Sequence, residues 1–383
     1  MFTSNKMAVL GGDSFRDEYS LAFDGSNDYI NFGNVLNLGT GDFSISIWVK
    51  TSDFHGQYFI VKKQDVNNRW YLRGSGDAPR FQFYSVVSGS AALQYYGDSA
   101  INLDDLQNQW VHFVLSADRD GNIVGYINGI LDDTDSADTT DLDNTGNLQL
   151  CKYDSTYADC SISEIAFYDK ALSANEARTI YNSREPFNHK VSAFSGNLTT
   201  WWRMGDGKID RLQSDPVVSD ETDTSLGDEL WDADKQRSGD VTGWTAYGNN
   251  TIEDNGSEIK ITYVDDTSGV LLHLKDASQL SSDLTVDQTY QIKFDIKVNT
   301  GSVSYIEYDG STAALVLDTI ANTSYVTKTY FMKAKHTTGA YIRIGNMNSG
   351  EIAYLTNFSC KPIGGKPGHA VNMTISDFER GAK

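Results

Sequence analysis

The stretch CSISEIAFYDKALSANEARTIYN, residues 160–182, changes periodicity half-way along. Its first half alternates apolar and polar positions, as a half-buried strand does, and its second half has the spacing of a helix. Ser173 followed by Glu176 has the spacing of a capping box, with apolar Leu172 just before it. The pattern predicts a helix from Ala174 to about Asn182, with Ala177, Ile180 and Tyr181 as its apolar stripe. A β-sandwich leaves open edges and ends, and a short amphipathic helix is suited to cover one of them.

Working back toward the N-terminus, the chain reads strand, turn, strand. In DFSISIWVKT (42–51), Phe43, Ile45, Ile47 and Val49 share one face, and Ser44, Ser46 and Lys50 share the other. Trp48 falls with the polar set, so that face is expected to be partly covered. SLAFDGSNDYINFG (20–33) alternates around an Asp24-Gly25 turn, and WVHFVLSADRDGNIVGYINGIL (110–131) reads as two strands joined at Asp120-Gly121, a strong hairpin signal. Strands this closely spaced, in a chain with 33 Gly and 5 Pro, predict an antiparallel two-sheet sandwich. The length of 383 residues exceeds what one core usually serves, so two domains are expected.

Four ordered runs, SLAFDGSNDYINFG, FSISIWVKTSD, WVHFVLSADRDGNIVGYINGIL and ISEIAFYDKALSANEARTIYN, together resemble the laminin-G/concanavalin-A-like jelly rolls. In that family the last strand runs into a closing helix, and Ser173, Glu176 and Tyr181 match that ending. The resemblance implies fold more than activity, because this fold hosts lectins, enzymes and structural modules.

Strand patterning returns from about Leu230 to Ile363. In YQIKFDIKV (290–298), Tyr290, Ile292, Phe294, Ile296 and Val298 alternate with polar residues. With Trp244, AYIRIGN and AYLTNFSCK, this half resembles the galactose-binding-like jelly rolls of carbohydrate-binding modules. The organisation expected is all-β, with two antiparallel β-sandwich (jelly-roll) domains and a short capping helix after the first. Its parts are an N-terminal arm (1–18), a first jelly roll (19–184), a connector (185–228), a second jelly roll (229–363) and a C-terminal tail (364–383). WWRMGDG (201–207) and the tail run ending NMTISDF (372–378) resemble a paired signature in structural proteins of tailed marine bacteriophages. There the two pieces lie close together, so the second jelly roll reads as an insertion that lets 196–207 meet 364–380; the alternative is a linker and a loose tail.

The formal charge of −21 opposes docking on phosphate backbones or anionic lipid, so neither nucleic acid nor membrane is an expected partner. The first residues lack the apolar core and cleavage pattern of a leader, which gives the expectation of synthesis and release in a cytoplasm. Three cysteines do not make a disulfide scaffold. Cys151 and Cys160 flank a hairpin loop and could bridge, but strand parity sets them on opposite faces unless a bulge between Ile162 and Ile165 realigns them.

Carboxylates at alternate positions on one strand face would mark a polysaccharide-cleaving site, and no Glu-x-Asp-x-x-Glu run occurs. Glu221 and Asp223 have the first spacing but lie in the connector, and isolated Glu164 reads as a structural acceptor or a surface charge. The chain is therefore expected not to be an enzyme. Calcium is the cofactor considered, through Asp24 and Asp28 in DGSND, Asp118 and Asp120 in DRDGN, and the acidic run 132–143, each of which also reads as an ordinary turn or solvated loop. Related second-domain modules carry an Asp for calcium in the last strand, where this chain has Thr356 before Asn357.

Sugar rings stack on flat aromatic faces beside groups that meet hydroxyls. The candidate platforms are Tyr95, Tyr96, Tyr153 and Tyr157 in the first domain, and Tyr305, Tyr308 and Tyr341 with Arg343 and Asn346 in the second. Tyr305 and Tyr308 differ by an odd step and cannot share a strand face, while Trp244 is expected in the core. Adjacent Trp201 and Trp202 would point to opposite sides, as an anchor between domains or subunits or as interdomain core. The expectation is a non-enzymatic virion-surface structural protein, a capsid decoration or a tail or fibre component. It would be homo-oligomeric, in contact with other virion proteins and with host or environmental glycans. The alternatives are a secreted, extracellular carbohydrate-binding or adhesion protein and, further off, a glycoside hydrolase.

Overall fold

The computed structural model describes residues 18–97, 101–185, 187–207, 217–265, 268–276, 278–308, 315–346, 348–373 and 375–380. The expected arm falls outside the described residues, apart from Glu18.

The first jelly roll is two stacked antiparallel sheets. In order across the first lie Ile130–Ser136, Asn122–Ile127, Val111–Ala117, Phe43–Lys50, Asp159–Tyr168, Tyr19–Asp24 and Phe378–Arg380. Leu198–Trp202 takes the edge of Asp159–Tyr168 beyond the reach of Tyr19–Asp24. The second sheet runs Val217–Val218, Gly368–Val371, Tyr29–Gly33, Asn147–Leu150, Tyr58–Lys63, Arg69–Gly74, Phe81–Val87 and Ser90–Tyr96. The predicted hairpin forms, with Asp118 N–H donating to the Asn122 carbonyl at 2.9 Å and Gly121 N–H to the Asp118 carbonyl at 3.0 Å. The Asp24-Gly25 turn instead carries the chain from one sheet to the other.

Inward residues of both sheets, among them Leu21, Ile45, Ile47, Trp70, Phe83, Phe113 and Trp202, make one core. The helix Ala174–Tyr181 starts with the predicted capping box: Ser173 N–H donates to Glu176 Oε2 at 2.8 Å, and Glu176 N–H donates to Ser173 Oγ at 3.4 Å. It covers the outer face of the first sheet rather than an edge, with Ala177 and Ile180 packed on Val114, Ala166 and Tyr168. Tyr181 stacks on Trp48 at 5.7 Å and on His112 at 5.9 Å, which explains an aromatic residue among the serines of that face.

The connector and tail are parts of this jelly roll rather than a linker and a loose end. Trp202 Nε1 donates to the Lys366 carbonyl at 2.8 Å, Lys366 Nζ donates to the Thr199 carbonyl at 3.1 Å, and Lys366 N–H donates to Asp220 Oδ2 at 3.0 Å. One tail strand joins each sheet, Gly368–Val371 on Tyr29–Gly33 and Phe378–Arg380 on Tyr19–Asp24.

The second jelly roll stacks Trp244–Ala246, Val270–His273, Tyr341–Gly345, Val303–Tyr308 and Leu315–Ile320 on Thr251–Asp254, Ile259–Thr262, Ile352–Pro362, Thr289–Val298 and Val326–Lys333. Its core holds Trp231, Trp244, Phe294, Tyr305, Tyr330 and Phe358. Its entry and exit run side by side, with Gly227 N–H donating to the Pro362 carbonyl at 2.8 Å and Gly364 N–H to the Ser225 carbonyl at 2.9 Å. Val217, Phe331 and Ile363 form a small apolar contact where the two jelly rolls meet, beside a Thr289 Oγ1–His369 Nε2 hydrogen bond of 3.1 Å.

Candidate functional site

Arg69–Gly74 and Phe81–Val87 alternate strictly. Trp70, Leu72, Phe81 and Phe83 go to the core, and Arg69, Tyr71, Arg73, Gln82 and Tyr84 go to the outer face. Tyr71 pairs with Tyr84 across the strands and their rings stack at 5.6 Å. Tyr58 pairs with Arg73, which donates from Nη1 to the Tyr58 hydroxyl at 2.9 Å and from Nε to Gln82 Oε1 at 2.6 Å. The hairpin of Lys152–Tyr153 and Thr156–Tyr157 lays Tyr153 on Tyr58, with rings 4.4 Å apart and 17° from parallel, and edge-on to Tyr71 at 5.7 Å. Lys63 Nζ stands 4.5 Å from the Tyr153 ring and pairs with Asp154 at 2.5 Å. Arg73 lies 5.3 Å from both the Tyr58 and Tyr71 rings. Burial pushes Tyr71 up to about 12, so its hydroxyl stays protonated near neutral pH.

This tyrosine–arginine platform includes one residue that the sequence reading singled out, Tyr153. Tyr96 lies on the same face, opposite Gln82 and with Arg80 5.7 Å from its ring. Tyr157 belongs to a neighbouring group, 6.2 Å from Tyr29, with Lys152 Nζ 3.8 Å from the Tyr29 ring. Tyr95 is corrected: it is 0% exposed and its hydroxyl bonds to Asp132, so it offers no face to a ligand. Gly125 makes room for it, since a Cβ there would lie 2.0 Å from the Tyr95 hydroxyl oxygen. Tyr58, Tyr71, Tyr84 and Arg73 were missed; the signal was the outward set of RWYLR and RFQFY, hidden beneath the apolar alternation.

In the second jelly roll the odd step separates the tyrosines as expected. Tyr305 is 0% exposed, stacks on Tyr330 at 3.7 Å and donates its hydroxyl to Glu307 at 2.5 Å, which removes it from the candidates. Tyr308 stacks on Tyr341 at 4.9 Å on the outer face, with His273 edge-on to Tyr341 at 5.7 Å. Arg343 lies two residues along the same face, its Nε buried without a hydrogen-bond partner among the described residues. Asn346 Nδ2 donates to Ser304 Oγ at 3.1 Å at the end of that strand. The opposite sheet carries a polar groove of about 370 Å³, lined by Glu229, Arg237, Lys293, Asp295, Asn357 and Ser359. Its carboxylates hold the fold: Glu229 takes the Ser359 hydroxyl at 2.6 Å, and Asp295 takes Thr327 and Asn357, each at 2.6 Å.

The calcium candidates serve turns. Asp24 Oδ1 accepts from Ser26 N–H at 2.8 Å, which holds its carboxyl below the usual range. Asp28 takes Asp24 N–H at 3.3 Å and is raised by burial. Asp118 is raised, first by its hydrogen bond to Asp120. The acidic run is organised by the chain's own cation: Arg119, 1% exposed, donates to the carbonyls of Asp138 at 2.6 Å, Gly39 at 3.2 Å and Thr140. Lys62 does the same for the adjoining loops, with Nζ at 2.7 Å from Asn34 Oδ1, 2.9 Å from the Val35 carbonyl and 3.0 Å from the Gly146 carbonyl. Among the described residues no three His, Cys, Asp or Glu side chains gather as a metal site. Thr356 donates instead to the Ser257 carbonyl at 2.7 Å.

Trp201 and Trp202 do point opposite ways, but both act within the first jelly roll. Trp202 stacks on Phe32 at 3.9 Å in its core. Trp201 lies under the helix and donates from Nε1 to Glu164 Oε2 at 2.9 Å. Glu164 sits at the bulge foreseen between Ile162 and Ile165 and also takes Arg203 Nε at 3.3 Å, so it is a structural acceptor.

Residues 24–178 match the family model described as the concanavalin A-like lectin/glucanases superfamily. They form a concanavalin A-like domain. Botulinum neurotoxin type E of Clostridium botulinum is 26% identical over 201 residues, 48% of this chain and 15% of the toxin, so the chain spans a small part of that relative. Among solved structures, a putative carbohydrate binding protein from Bacteroides ovatus is 16% identical over 54% of this chain and 56% of that one, with a TM-score of 0.40. The Ruminococcus gnavus IT-sialidase CBM40 bound to alpha2,3 sialyllactose is 16% identical over 42% of this chain and 96% of that one, with a TM-score of 0.33. The tyrosine platform lies within the concanavalin A-like domain.

Proposed function

We propose that this chain is a non-enzymatic, glycan-contacting structural protein of a bacteriophage virion surface, and that its concanavalin A-like domain holds sugar on the Tyr58–Tyr71–Tyr84–Tyr153 platform. The observation that carries the glycan reading is that platform: the partly exposed rings of Tyr58, Tyr84 and Tyr153 around buried Tyr71, at two orientations, with Arg73 beside them to meet hydroxyls. Glu164, Glu221 and Asp223 are each engaged by neighbouring donors, which favours binding over bond cleavage. Placement on a virion is supported by the resemblance of WWRMGDG and NMTISDF to the paired phage signature, whose two pieces close one jelly roll here.

A glycan array probed with the full chain should show weak, selective binding that Tyr58→Ala with Tyr153→Ala lowers at least about tenfold, in line with loss of stacking surface. Tight binding that survives both substitutions would remove the platform. Labelling of purified virus particles by an antibody to the chain tests the placement, and particles without label would overturn it.

A further inference from the structure

We propose that Cys151 and Cys160 are a disulfide site that locks the hairpin carrying Tyr153 and Tyr157. The two Sγ atoms face each other at 3.4 Å inside the first core, and both residues are buried. A bond needs them at about 2.05 Å, a displacement within the reach of side-chain rotation. The backbone already brackets the hairpin: Cys151 N–H donates to the Phe59 carbonyl at 3.1 Å, and Ala158 N–H donates to the Cys151 carbonyl at 2.9 Å. Between the two cysteines lie the strands Lys152–Tyr153 and Thr156–Tyr157 with their turn, followed by Ala158 and Asp159. Cys160 shares the inward face of Ile162, and Cys151 turns into the same core directly after inward Leu150 through its own positive φ of 60°, whereas the bulge between Ser163 and Ile165 lies beyond both cysteines. Cys360, buried in the other core, supplies an internal reference thiol.

The oxidant is a low-molecular-weight disulfide such as oxidised glutathione, acting when the hairpin opens. One cysteine thiolate attacks a glutathione sulfur and releases one glutathione thiolate. The second cysteine then attacks the mixed disulfide, forming the Cys151–Cys160 bond and releasing the other. Two protons leave the cysteines and two electrons reduce glutathione disulfide to two thiols. Burial pushes the Cys151 thiol up, so attack belongs to the opened hairpin rather than the closed one.

The experiment holds the full native chain, and separately the full chain refolded from denaturant, in oxidised and reduced glutathione. Each sample is then unfolded in acid, alkylated and mapped by mass spectrometry. The expected product has lost two hydrogens, links the peptides containing Cys151 and Cys160, and carries one alkyl group, on Cys360. Amide exchange across 152–157 should slow about tenfold relative to the reduced chain, and Cys151→Ser should abolish both effects. Three alkylated cysteines in both preparations, or a bridge to Cys360, would overturn the site; a bridge with unchanged exchange would overturn the lock. The effect on the tyrosine platform rests on the glycan reading. Neither mass nor exchange requires a glycan, so failure of the array and failure of the bridge remain distinguishable.

Discussion

In the concanavalin A-like domain Tyr19 pairs with Arg380, so the sheet joins residues from the two ends of the chain. In the second jelly roll the strands span one continuous stretch, and Ile259 pairs with Leu355. Both are sandwiches with apolar interiors, yet they place different demands on chain order. The first cannot complete either sheet until the tail arrives, and contacts that distant are slow to form. The second holds all its strands between its own two junctions and needs nothing from the rest of the chain to build its core.

The sharpest test of this contrast is truncation. Removing residues 364–383 should abolish cooperative melting of the concanavalin A-like domain, while residues 229–363 expressed alone should keep a sigmoidal transition in circular dichroism. A truncated chain that still melts in two steps would break the comparison. Next in size, Trp202→Ala should cost about 3–5 kcal/mol in denaturant unfolding of the first domain, with the second unchanged, because it empties the core where the tail docks. Arg119→Ala should cost about 2–4 kcal/mol, since three carbonyls lose one charged donor. A chelator should move the same transition far less. A pH-dependent effect lies at the junction. His369 is held down to about 3, first by burial, then by Lys333 and Lys335, with Asp287 opposing. The unfolded chain binds that proton more readily, so stability should fall as pH drops from about 6.5 toward 3. His369→Gln should flatten that slope in urea titrations.

Much of this architecture was legible because alternation is written locally. Phe43 to Val49 and Tyr290 to Val298 declare their faces, and Ser173 with Glu176 declares the helix start. What escaped was set by pairing between distant segments. Gly368–Val371 has no pattern that names Tyr29–Gly33 as its partner, so a strand read as tail. The tyrosine platform was only partly visible for a related reason. Tyr95 and Tyr153 look alike as loop tyrosines, but one enters the core opposite Gly125 and the other lies on Tyr58. Outward aromatics at Tyr71 and Tyr84 were masked by neighbours that carry the stronger apolar signal. Arg119 and Lys62 were overlooked because an acidic loop suggests a bound ion before it suggests a buried side chain.

The adjacent entry and exit of the second jelly roll, tied by Gly227 to Pro362 and by Gly364 to Ser225, make it a cassette. Whatever module occupies 229–363 is fastened by two antiparallel runs of backbone, which restrain twisting better than a single tether could. A different module with closely spaced termini could be exchanged there while the host sheets kept every strand they use.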